Sequence, residues 1–247
     1  MCGSSQGIGL AAAREIALLG AGVTLLARNR EALEKAAATL ATDRGQRHAV
    51  LVADFNDSDA VRAVVAQENH YHILVNNTGG PPGGLAIDAG EEEYLRAFNS
   101  HLLNNQILAR AVVPFMQQAG YGRIINIIST SVKAPIPGLG VSNTIRGAVN
   151  SWSKTLAHEL GRYGITVNNV LPGATRTARL QGLFEAWAAK RGTDPEAEAA
   201  NMKAAIPAGR FAEPAEVGAA VAFLASPAAG YINGISVAVD GGRTNCL

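Results

Sequence analysis

The chain has 247 residues, of which 48% are hydrophobic and 17% charged, and its formal net charge is +1. That length fits one large α/β domain or two small ones, and the hydrophobic share is ample for a single core. Basic and acidic residues are interspersed, so the sequence predicts neither a nucleic-acid-binding face nor a patch for anionic membranes. Aromatic residues, at 5%, are too sparse for platforms that stack single-stranded bases.

The two cysteines, Cys2 and Cys246, lie at opposite ends of the sequence. This spacing predicts neither a disulfide framework nor a metal site, and a reducing cytoplasm is the expected location. No charged and then apolar leader precedes Gly3, and no apolar run reaches the length of a membrane span. A soluble protein is therefore expected.

Short apolar segments alternate with helical patterns along the whole chain. In order they are helix 11–19, strand 23–27, helix 31–40, strand 49–53, helix 57–67, strand 73–76, helical region 91–118, strand 123–128, helix 143–161, strand 165–170, helix 214–224 and strand 235–239. Unbroken apolar strands separated by helices indicate a parallel sheet that is covered on both faces. We therefore predict one doubly wound Rossmann α/β domain over residues 1–247, with ligands at the carboxyl ends of its strands.

Three glycines, Gly3, Gly7 and Gly9, precede the first helical segment. Glycine takes positive φ readily, and its lack of a Cβ atom lets a bulky anion approach the backbone. A helix that begins near Gly7 would point its N–H groups and its positive dipole end at a phosphate. The pattern indicates a dinucleotide-binding loop, although a loop that merely turns would also fit it.

A dinucleotide-binding loop normally follows a central strand, yet only Met1 and Cys2 precede Gly3. Two interpretations are open: the sequence begins late, or the loop has another purpose. The first is favoured because the elements downstream fit the fold. The first strand is thus expected to be truncated, and its loss would leave backbone groups of the neighbouring strands unpaired.

Polar residues follow the first two apolar strands. Arg28 and Asn29 come where the adenosine ribose of a dinucleotide would lie. An acidic residue there would bind the 2′-hydroxyl, whereas an arginine suits a 2′-phosphate, so NADP is favoured over NAD. The alternative is an ordinary solvated basic loop. Asp54, with Phe55 beside it, is placed to bind the amino group of adenine.

Four motifs together resemble the short-chain dehydrogenases/reductases: Gly3-x-x-x-Gly7-x-Gly9, Asn76-Asn77-x-Gly79, the strand Asn126 to Ser129, and Pro172-Gly173 with Thr177. The resemblance covers essentially the whole chain and is nearest to the 3-oxoacyl-acyl-carrier-protein reductases. It implies an NADPH-dependent oxidoreductase that reduces a carbonyl compound such as a 3-oxoacyl thioester. It also implies a homodimer or homotetramer, with no nucleic-acid or membrane partner.

The resemblance further implies which residues hold the cofactor. Gly3, Ser5, Gly7, Ile8 and Gly9 would hold the pyrophosphate and the nearby ribose, Asp54 the adenine, Asn77 and Gly79 would pack on the cofactor, and Pro172, Gly173, Thr175 and Thr177 would surround the nicotinamide and its phosphate.

The catalytic positions depart from the family's set of Asn, Ser, Tyr and Lys. Ser129 keeps the serine, but Ser142 and Arg146 stand at the Tyr and Lys positions, and His101 stands at the Asn position. Arg146 could bind ribose hydroxyls and favour an oxyanion, but it is a poor proton relay. Ser129 and Ser142 could hydrogen-bond a substrate oxygen. His101 titrates in the useful range and is the candidate proton donor, with a packed histidine as the alternative.

Residues 178–205 correspond to the family's mobile helical lid over the substrate. Apolar side chains in this segment, such as Leu180, Phe184 and Trp187, could line an acyl-chain pocket or simply pack.

Full loss of general acid catalysis would raise a reaction barrier by about 3–5 kcal/mol. Two functions therefore stay open: an atypical reductase, favoured because the substituted site remains polar, and a catalytically inactive NADP-binding sensor or partner subunit.

Overall fold

The computed structural model describes residues 1–246, and over these residues helices alternate with parallel strands. The strands are β1 (Thr24–Ala27), β2 (Ala49–Val52), β3 (Ile73–Asn76), β4 (Gly122–Ile127), β5 (Ile165–Pro172) and β6 (Ser236–Val239). The α-helices are α1 (Gly7–Leu18), α2 (Arg30–Ala37), α3 (Ser58–Gln67), α4 (Glu91–Phe98), α5 (Asn104–Ala119), α6 (Gly140–Leu160), α7 (Ala178–Arg191), α8 (Pro195–Ala204) and α9 (Pro214–Ala225). The predicted doubly wound α/β fold is confirmed.

The parallel strands form two sheets, β1–β2 and β3–β4–β5–β6. Met1, Cys2 and Gly3 lie between them, at the centre of the fold. The Leu26 N–H donates to the Met1 carbonyl at 2.9 Å, the Gly3 N–H donates to the Leu26 carbonyl at 2.8 Å, and the Cys2 N–H donates to the Val75 carbonyl at 3.0 Å. These residues, which we call the central bridge, stand where a central strand was expected.

A cavity of about 320 Å³ adjoins the central bridge, between β1 and β3, with a mostly apolar lining that includes Val23, Ile73 and Leu108. The Met1 amino group donates to the Thr24 carbonyl at 2.9 Å, and burial lowers the pKa of this amino group. Cys2 is 1% exposed, and burial raises the pKa of its thiol. The bridge is therefore a buried junction.

Helices cover both faces of the sheets, as the unbroken apolar strands predict. Side chains of α1, α2 and α9 form the core on one face, and side chains of α3, α5 and α6 form it on the other. Gly218 lets α9 approach α1 closely, because a Cβ atom there would lie 2.9 Å from the Ala11 carbonyl carbon. No helix within residues 1–246 combines the length and apolar character needed to cross a membrane.

An asparagine ladder crosses the larger sheet near the carboxyl ends of its strands. The Asn76 side-chain amide donates to Asn126 Oδ1 at 2.8 Å, and the Asn126 amide donates to Asn169 Oδ1 at 3.0 Å. Asn169 donates in turn to Asn150 Oδ1 on α6 at 3.0 Å. Such linked, buried hydrogen bonds fix neighbouring strands and α6 in one register, directly below the ligand edge.

The predicted lid, residues 178–205, consists of α7, α8 and the turn between them. Its buried residues Leu180 and Phe184 pack with Ile206 and Phe211 in a small cluster separate from the main core. The Phe184 and Phe211 rings stack with centroids 5.6 Å apart. The segment is thus an appended helical layer next to the carboxyl end of β5, and its role as a lid stays a prediction.

Candidate cofactor and catalytic site

A cleft of about 1060 Å³ opens at the carboxyl ends of β1 and β3. The chain winds outward in opposite directions from the central bridge, first to β1 and β2 and then to β3 and beyond. In doubly wound sheets, ligands bind at this switch point. The location agrees with the prediction that ligands lie at the carboxyl edge.

The glycine loop forms the floor of the cleft. Gly3 and Gly7 have φ of +55° and +58°, a region that glycine enters without strain. A Cβ atom on Gly3 would lie 2.4 Å from the Asn77 carbonyl oxygen, and the Asn77 side-chain amide donates to the Gly3 carbonyl at 3.0 Å. Asn77 therefore fixes the loop to the end of β3.

The N-terminus of α1 fits a phosphate. Its N-cap residue, Gln6, makes no side-chain cap, and the first turn contains no acidic residue. The first N–H groups are thus free to donate to an anion. Opposite them, Thr177 Cγ2 lies 3.5 Å from the position that a Cβ atom on Gly7 would take, an ordinary contact distance, so the requirement for glycine at this position comes from its φ of +58°.

Most of the predicted cofactor residues meet at this cleft. Those that line it are Gly3, Ser5, Gly7, Ile8, Arg28, Asp54, Phe55, Asn77, Gly79 and Thr177. Ligand binding by these residues stays a prediction, but they come from the ends of four strands and from the loop after the central bridge, and they face one common space.

Besides Arg146, which is described below, five predicted cofactor residues do not line the cleft, and cofactor binding by them stays a prediction. Asn29 caps α2, since its Oδ1 accepts from the Ala32 N–H at 2.9 Å. Gly9 packs on the loop, because a Cβ atom there would lie 2.2 Å from the Gly3 carbonyl oxygen. The remaining three are Pro172, which ends β5, Gly173, which packs against Asp240, and Thr175, which is 4% exposed and donates to the Gly173 carbonyl.

Arg28 and Asp54, which the sequence predicts to bind the adenosine part of a dinucleotide, lie just after β1 and β2. Arg28 is exposed directly after β1, and within residues 1–246 it forms no ion pair. Asp54 Oδ1 accepts from the backbone and side-chain amides of Asn56 at 2.9 and 3.0 Å. The hydrogen bonds to Asn56 hold the Asp54 carboxylate at the cleft wall, and Arg28 remains available for a phosphate.

His101 lies on a π-helical turn, Asn99–Leu103, which interrupts the helical region that the sequence predicted as continuous over 91–118. Such turns widen a helix locally and are frequent at functional sites. His101 is 5% exposed, and its Nδ1 lies 2.6 Å from Thr78 Oγ1, just beyond the end of β3. The turn thus brings the imidazole next to the cleft.

The electrostatics of His101 do not favour the predicted proton donation. Burial first, and then the charges of Arg146 and Arg179, lower the pKa of His101 to about 3. The imidazole is therefore neutral at neutral pH, and it carries no imidazolium proton to give. In this state His101 is a buried hydrogen-bonding partner of Thr78. This arrangement is closer to the alternative interpretation, in which the histidine has a packing role.

Arg146 reaches the end of β4, where Ser129 follows. Its Nη1 donates to the Ile127 carbonyl at 3.1 Å, and burial together with Arg179 lowers its pKa to about 10, so it stays charged at neutral pH. Ser142, 7% exposed, lies one helical turn before Arg146 on the same face of α6. Ser129 Oγ accepts from the Ser131 N–H at 3.1 Å. Arg146 and His101 thus lie near the ends of β4 and β3, and Ser129 directly follows β4. None of the four predicted catalytic residues is among those that line the cleft within residues 1–246, and their catalytic roles stay predictions.

Sequence reasoning missed Arg179, which lines the cleft two residues beyond Thr177. Its Nη1 and Nη2 donate to the Gly80 and Pro81 carbonyls at 2.9 and 3.1 Å. The available signal was the run Arg176-Thr177-Ala178-Arg179, which places two cations beside a predicted phosphate-binding threonine. Arg176 is paired with Glu213 at 2.8 Å.

Comparisons with known proteins agree with this geometry. A family model described as enoyl-(acyl carrier protein) reductase matches residues 3–244. The 3-oxoacyl-acyl-carrier-protein reductase FabG of Pseudomonas aeruginosa is 34% identical over 97% of this chain and 94% of that protein. The gluconate 5-dehydrogenase of Gluconobacter oxydans is 32% identical over 99% of this chain and 93% of that protein.

A solved structure of L-sorbose reductase from Gluconobacter frateurii, complexed with NADPH and L-sorbose, superposes with a TM-score of 0.92. It is 31% identical in sequence, and the match covers 100% of this chain and 96% of that one. These relatives match at least 97% of this chain, but their names indicate three different kinds of substrate.

Proposed function

Because the chain belongs to the short-chain dehydrogenase/reductase family, we propose that it is an NADPH-dependent oxidoreductase that reduces a carbonyl compound to an alcohol. The observation that carries this proposal is the cleft itself. It joins the uncapped N-terminus of α1 and Arg28, which forms no ion pair within residues 1–246, to Thr78 and Gly80 beyond β3. Thr78 contacts His101, and Gly80 lies next to the Arg146 guanidinium group. A phosphate-bearing cofactor and a reacting carbonyl would thus share one space.

The cofactor would lie along the carboxyl edge. The N-terminus of α1 and Thr177 would hold the pyrophosphate, and Asp54 the adenine. Arg28 would bind the 2′-phosphate through charge-assisted hydrogen bonds, which supports NADP over NAD. When bound, NADPH supplies the hydride; with one proton from solvent, a carbonyl becomes an alcohol and NADP⁺ is released.

The chain's own residues would act on the carbonyl oxygen. Ser129 and Ser142 supply hydroxyl donors, and Arg146 supplies a fixed positive charge. Fixed donors and charges aimed at an oxygen that becomes negative are a large catalytic contribution, which does not need a titratable acid. Protonation of that oxygen by water or by a serine hydroxyl fits a site in which His101 is neutral.

The test follows NADPH absorbance with purified full-length protein and a panel of carbonyl compounds that includes ketoses, oxo acids, their esters and 3-oxoacyl thioesters. We expect saturable, NADPH-dependent turnover with at least one member and much weaker turnover with NADH. Tight NADPH binding without turnover across the panel would contradict the proposal.

That outcome would favour the second candidate, an NADP-binding protein without catalysis. The specific observation in its favour is the neutral His101 near Arg146, with a serine rather than a tyrosine at position 142, which leaves no strong general acid in the set. A double variant, Ser142→Tyr with Arg146→Lys, separates the two. A rise in turnover would mean that the native site is compromised, whereas a loss would mean that serine and arginine perform their own chemistry.

Three finer points are proposals as well. The substrate predicted from the family resemblance is a 3-oxoacyl thioester, and the segment 178–205 would close over it as a lid. The long helices α5 and α6 would form the interfaces of a homodimer or homotetramer. Light scattering of the purified protein tests the assembly, and a monomer at all concentrations would contradict it.

A further inference from the structure

Two arginines that have no carboxylate partner within residues 1–246 meet at one corner of the cleft. Arg179 Nη1 and Nη2 are held by the Gly80 and Pro81 carbonyls, and Arg146 Nη1 by the Ile127 carbonyl. Within residues 1–246, no carboxylate lies within 4.0 Å of either guanidinium group. Backbone carbonyls thus orient both groups while leaving their positive charge uncompensated.

The two guanidinium groups converge on Gly80. A Cβ atom on this residue would lie 2.7 Å from Arg179 Nη2 and 3.3 Å from Arg146 Nη2. Like charges this close repel each other, and the repulsion is stronger away from bulk water. The positive charge of Arg179 contributes to the lowered pKa of Arg146, and both charges contribute to the lowered pKa of His101.

Two other arginines near this corner are paired. Arg176, three residues before Arg179, contacts Glu213 at 2.8 Å, and Arg191 on the same helix contacts Glu198. Arg14, Arg28 and Arg96 also line the cleft without an ion pair within residues 1–246, so what distinguishes the corner at Gly80 is the convergence of two guanidinium groups. An arginine's planar fork matches a carboxylate or a phosphate, so a pair of unpaired arginines is suited to an anionic ligand.

The location favours a substrate anion over an anion of the cofactor. Arg146 is anchored at Ile127, two residues before Ser129, which is the proposed contact of the reacting carbonyl. The expected cofactor phosphates have their own partners in the N-terminus of α1 and in Arg28.

We infer that Arg179, together with Arg146, binds a carboxylate of the substrate, so that the enzyme reduces a 2-oxo or 3-oxo acid. This inference rests on the proposed reductase function and narrows its substrate class. Arg179 takes the carboxylate, and Arg146 lies between the carboxylate and the carbonyl oxygen. A free oxo acid carries its charge next to the carbonyl, whereas a 3-oxoacyl thioester does not, so the inference departs from the thioester prediction.

The test compares each oxo acid with its methyl ester, using 2-oxobutanoate and 3-oxobutanoate as the first pairs. We expect the wild-type kcat/KM to be about 10- to 100-fold higher for the acid, the size typical of hydrogen bonds to a charged group. Arg179→Gln should remove this preference by lowering kcat/KM for the acid alone. Arg179→Lys should restore part of it, because the charge returns without the fork.

Two controls keep the result specific. Lys190→Gln removes a positive charge from the exposed face of the same helix, outside the cleft, and should leave the acid-to-ester ratio unchanged. The KM for NADPH should change little in Arg179→Gln. A raised KM for NADPH with an unaltered acid-to-ester ratio would assign Arg179 to the cofactor and overturn the inference.

A binding measurement separates this inference from the reductase proposal. Calorimetry would compare 3-hydroxybutanoate with its methyl ester on the protein saturated with NADP⁺, and it needs no turnover. Arg179-dependent binding of the acid without any turnover would sustain the carboxylate site and refute the reductase. Equal turnover of acids and esters, unaffected in ratio by Arg179→Gln, would sustain the reductase and refute the carboxylate site.

Discussion

Arg28 and His101 illustrate how the surroundings of a single side chain determine its chemistry. Arg28 follows β1 on an exposed loop with no acidic partner among the described residues, so its charge is available to a ligand. His101 is buried beside two arginines, so its ionised form is disfavoured. The exposure of Arg28 could be predicted from the sequence, because Arg28 directly follows a strand. The burial of His101 beside two arginines could be seen only in the folded structure.

Arg28→Gln should weaken NADPH binding about 10- to 100-fold and leave NADH binding nearly unchanged, because only NADPH carries the 2′-phosphate. Fluorescence titration with both cofactors measures the change. Arg30→Gln is the matched control, since Arg30 is also exposed but lies 3.6 Å from Glu34. If Arg28→Gln weakened the binding of NADPH and NADH equally, Arg28 would not be a contact of the 2′-phosphate.

His101 should make the fold sensitive to acid. Its pKa is about 3 in the folded protein and about 6.5 in an unfolded chain. Between these values the unfolded chain binds a proton that the folded one does not, so the free energy of unfolding falls as the pH falls from about 6.5 towards 3. The loss approaches about 1.4 kcal/mol per pH unit.

The measurement is urea denaturation at pH 7 and pH 5 for the wild type and for His101→Asn, which keeps a polar partner for Thr78. The variant should lose about 1–2 kcal/mol less than the wild type between these two pH values. His158→Asn, at an exposed position of α6, is the control and should follow the wild type. Identical pH dependence in all three proteins would argue against a depressed pKa at His101.

At the scale of elements, the glycine loop and α1 depend on one close contact. Gly3→Ala would place a Cβ atom 2.4 Å from the Asn77 carbonyl oxygen at a φ of +55°. We expect a loss of stability above the roughly 1 kcal/mol that positive φ alone costs a residue other than glycine, together with weaker NADPH binding.

Gly45→Ala is a matched control for that change. Gly45 has a φ of +77°, and a Cβ atom there would meet nothing within 4 Å. The control should therefore show the cost of the backbone conformation without the clash. If thermal denaturation gave equal losses for Gly3→Ala and Gly45→Ala, the contact with Asn77 would not constrain the loop.

Most helices and strands could be predicted from the sequence, because the spacing of apolar residues along each segment shows which side chains are buried. β3 has the predicted bounds, and α9 differs by one residue at its end. The π-helical turn at 99–103 was missed, since its sequence is typical of ordinary helix and its contacts, with Thr78 and α6, are distant in the sequence. Arg179 was missed for a similar reason: its contact with Gly80 spans 99 residues, and no local pattern reports such a pair.

At the scale of the whole molecule, the two free thiols report on opposite environments. Cys2 lies in the central bridge and is 1% exposed, whereas Cys246 is exposed near the end of the chain. In the native protein one thiol should react quickly with Ellman's reagent, and the second should react only as the junction opens. Cys246→Ser should abolish the fast phase. Two fast thiols in the wild type would contradict a closed junction.

The central bridge has a consequence for how the fold opens. It is the part of the chain that joins β1 to β3, and it leads directly into the glycine loop, the predicted phosphate-binding element. Local opening in proteins proceeds in cooperative units. The pair β1–β2 is joined to β3–β6 by the backbone hydrogen bonds of the bridge and by a shared hydrophobic core, so opening the junction would disrupt both. A ligand held by the loop favours the closed form by mass action. A bound dinucleotide would thus also stabilise the junction between the two sheets. Backbone amides of β1 and β3 should therefore exchange with deuterium more slowly once the dinucleotide binds.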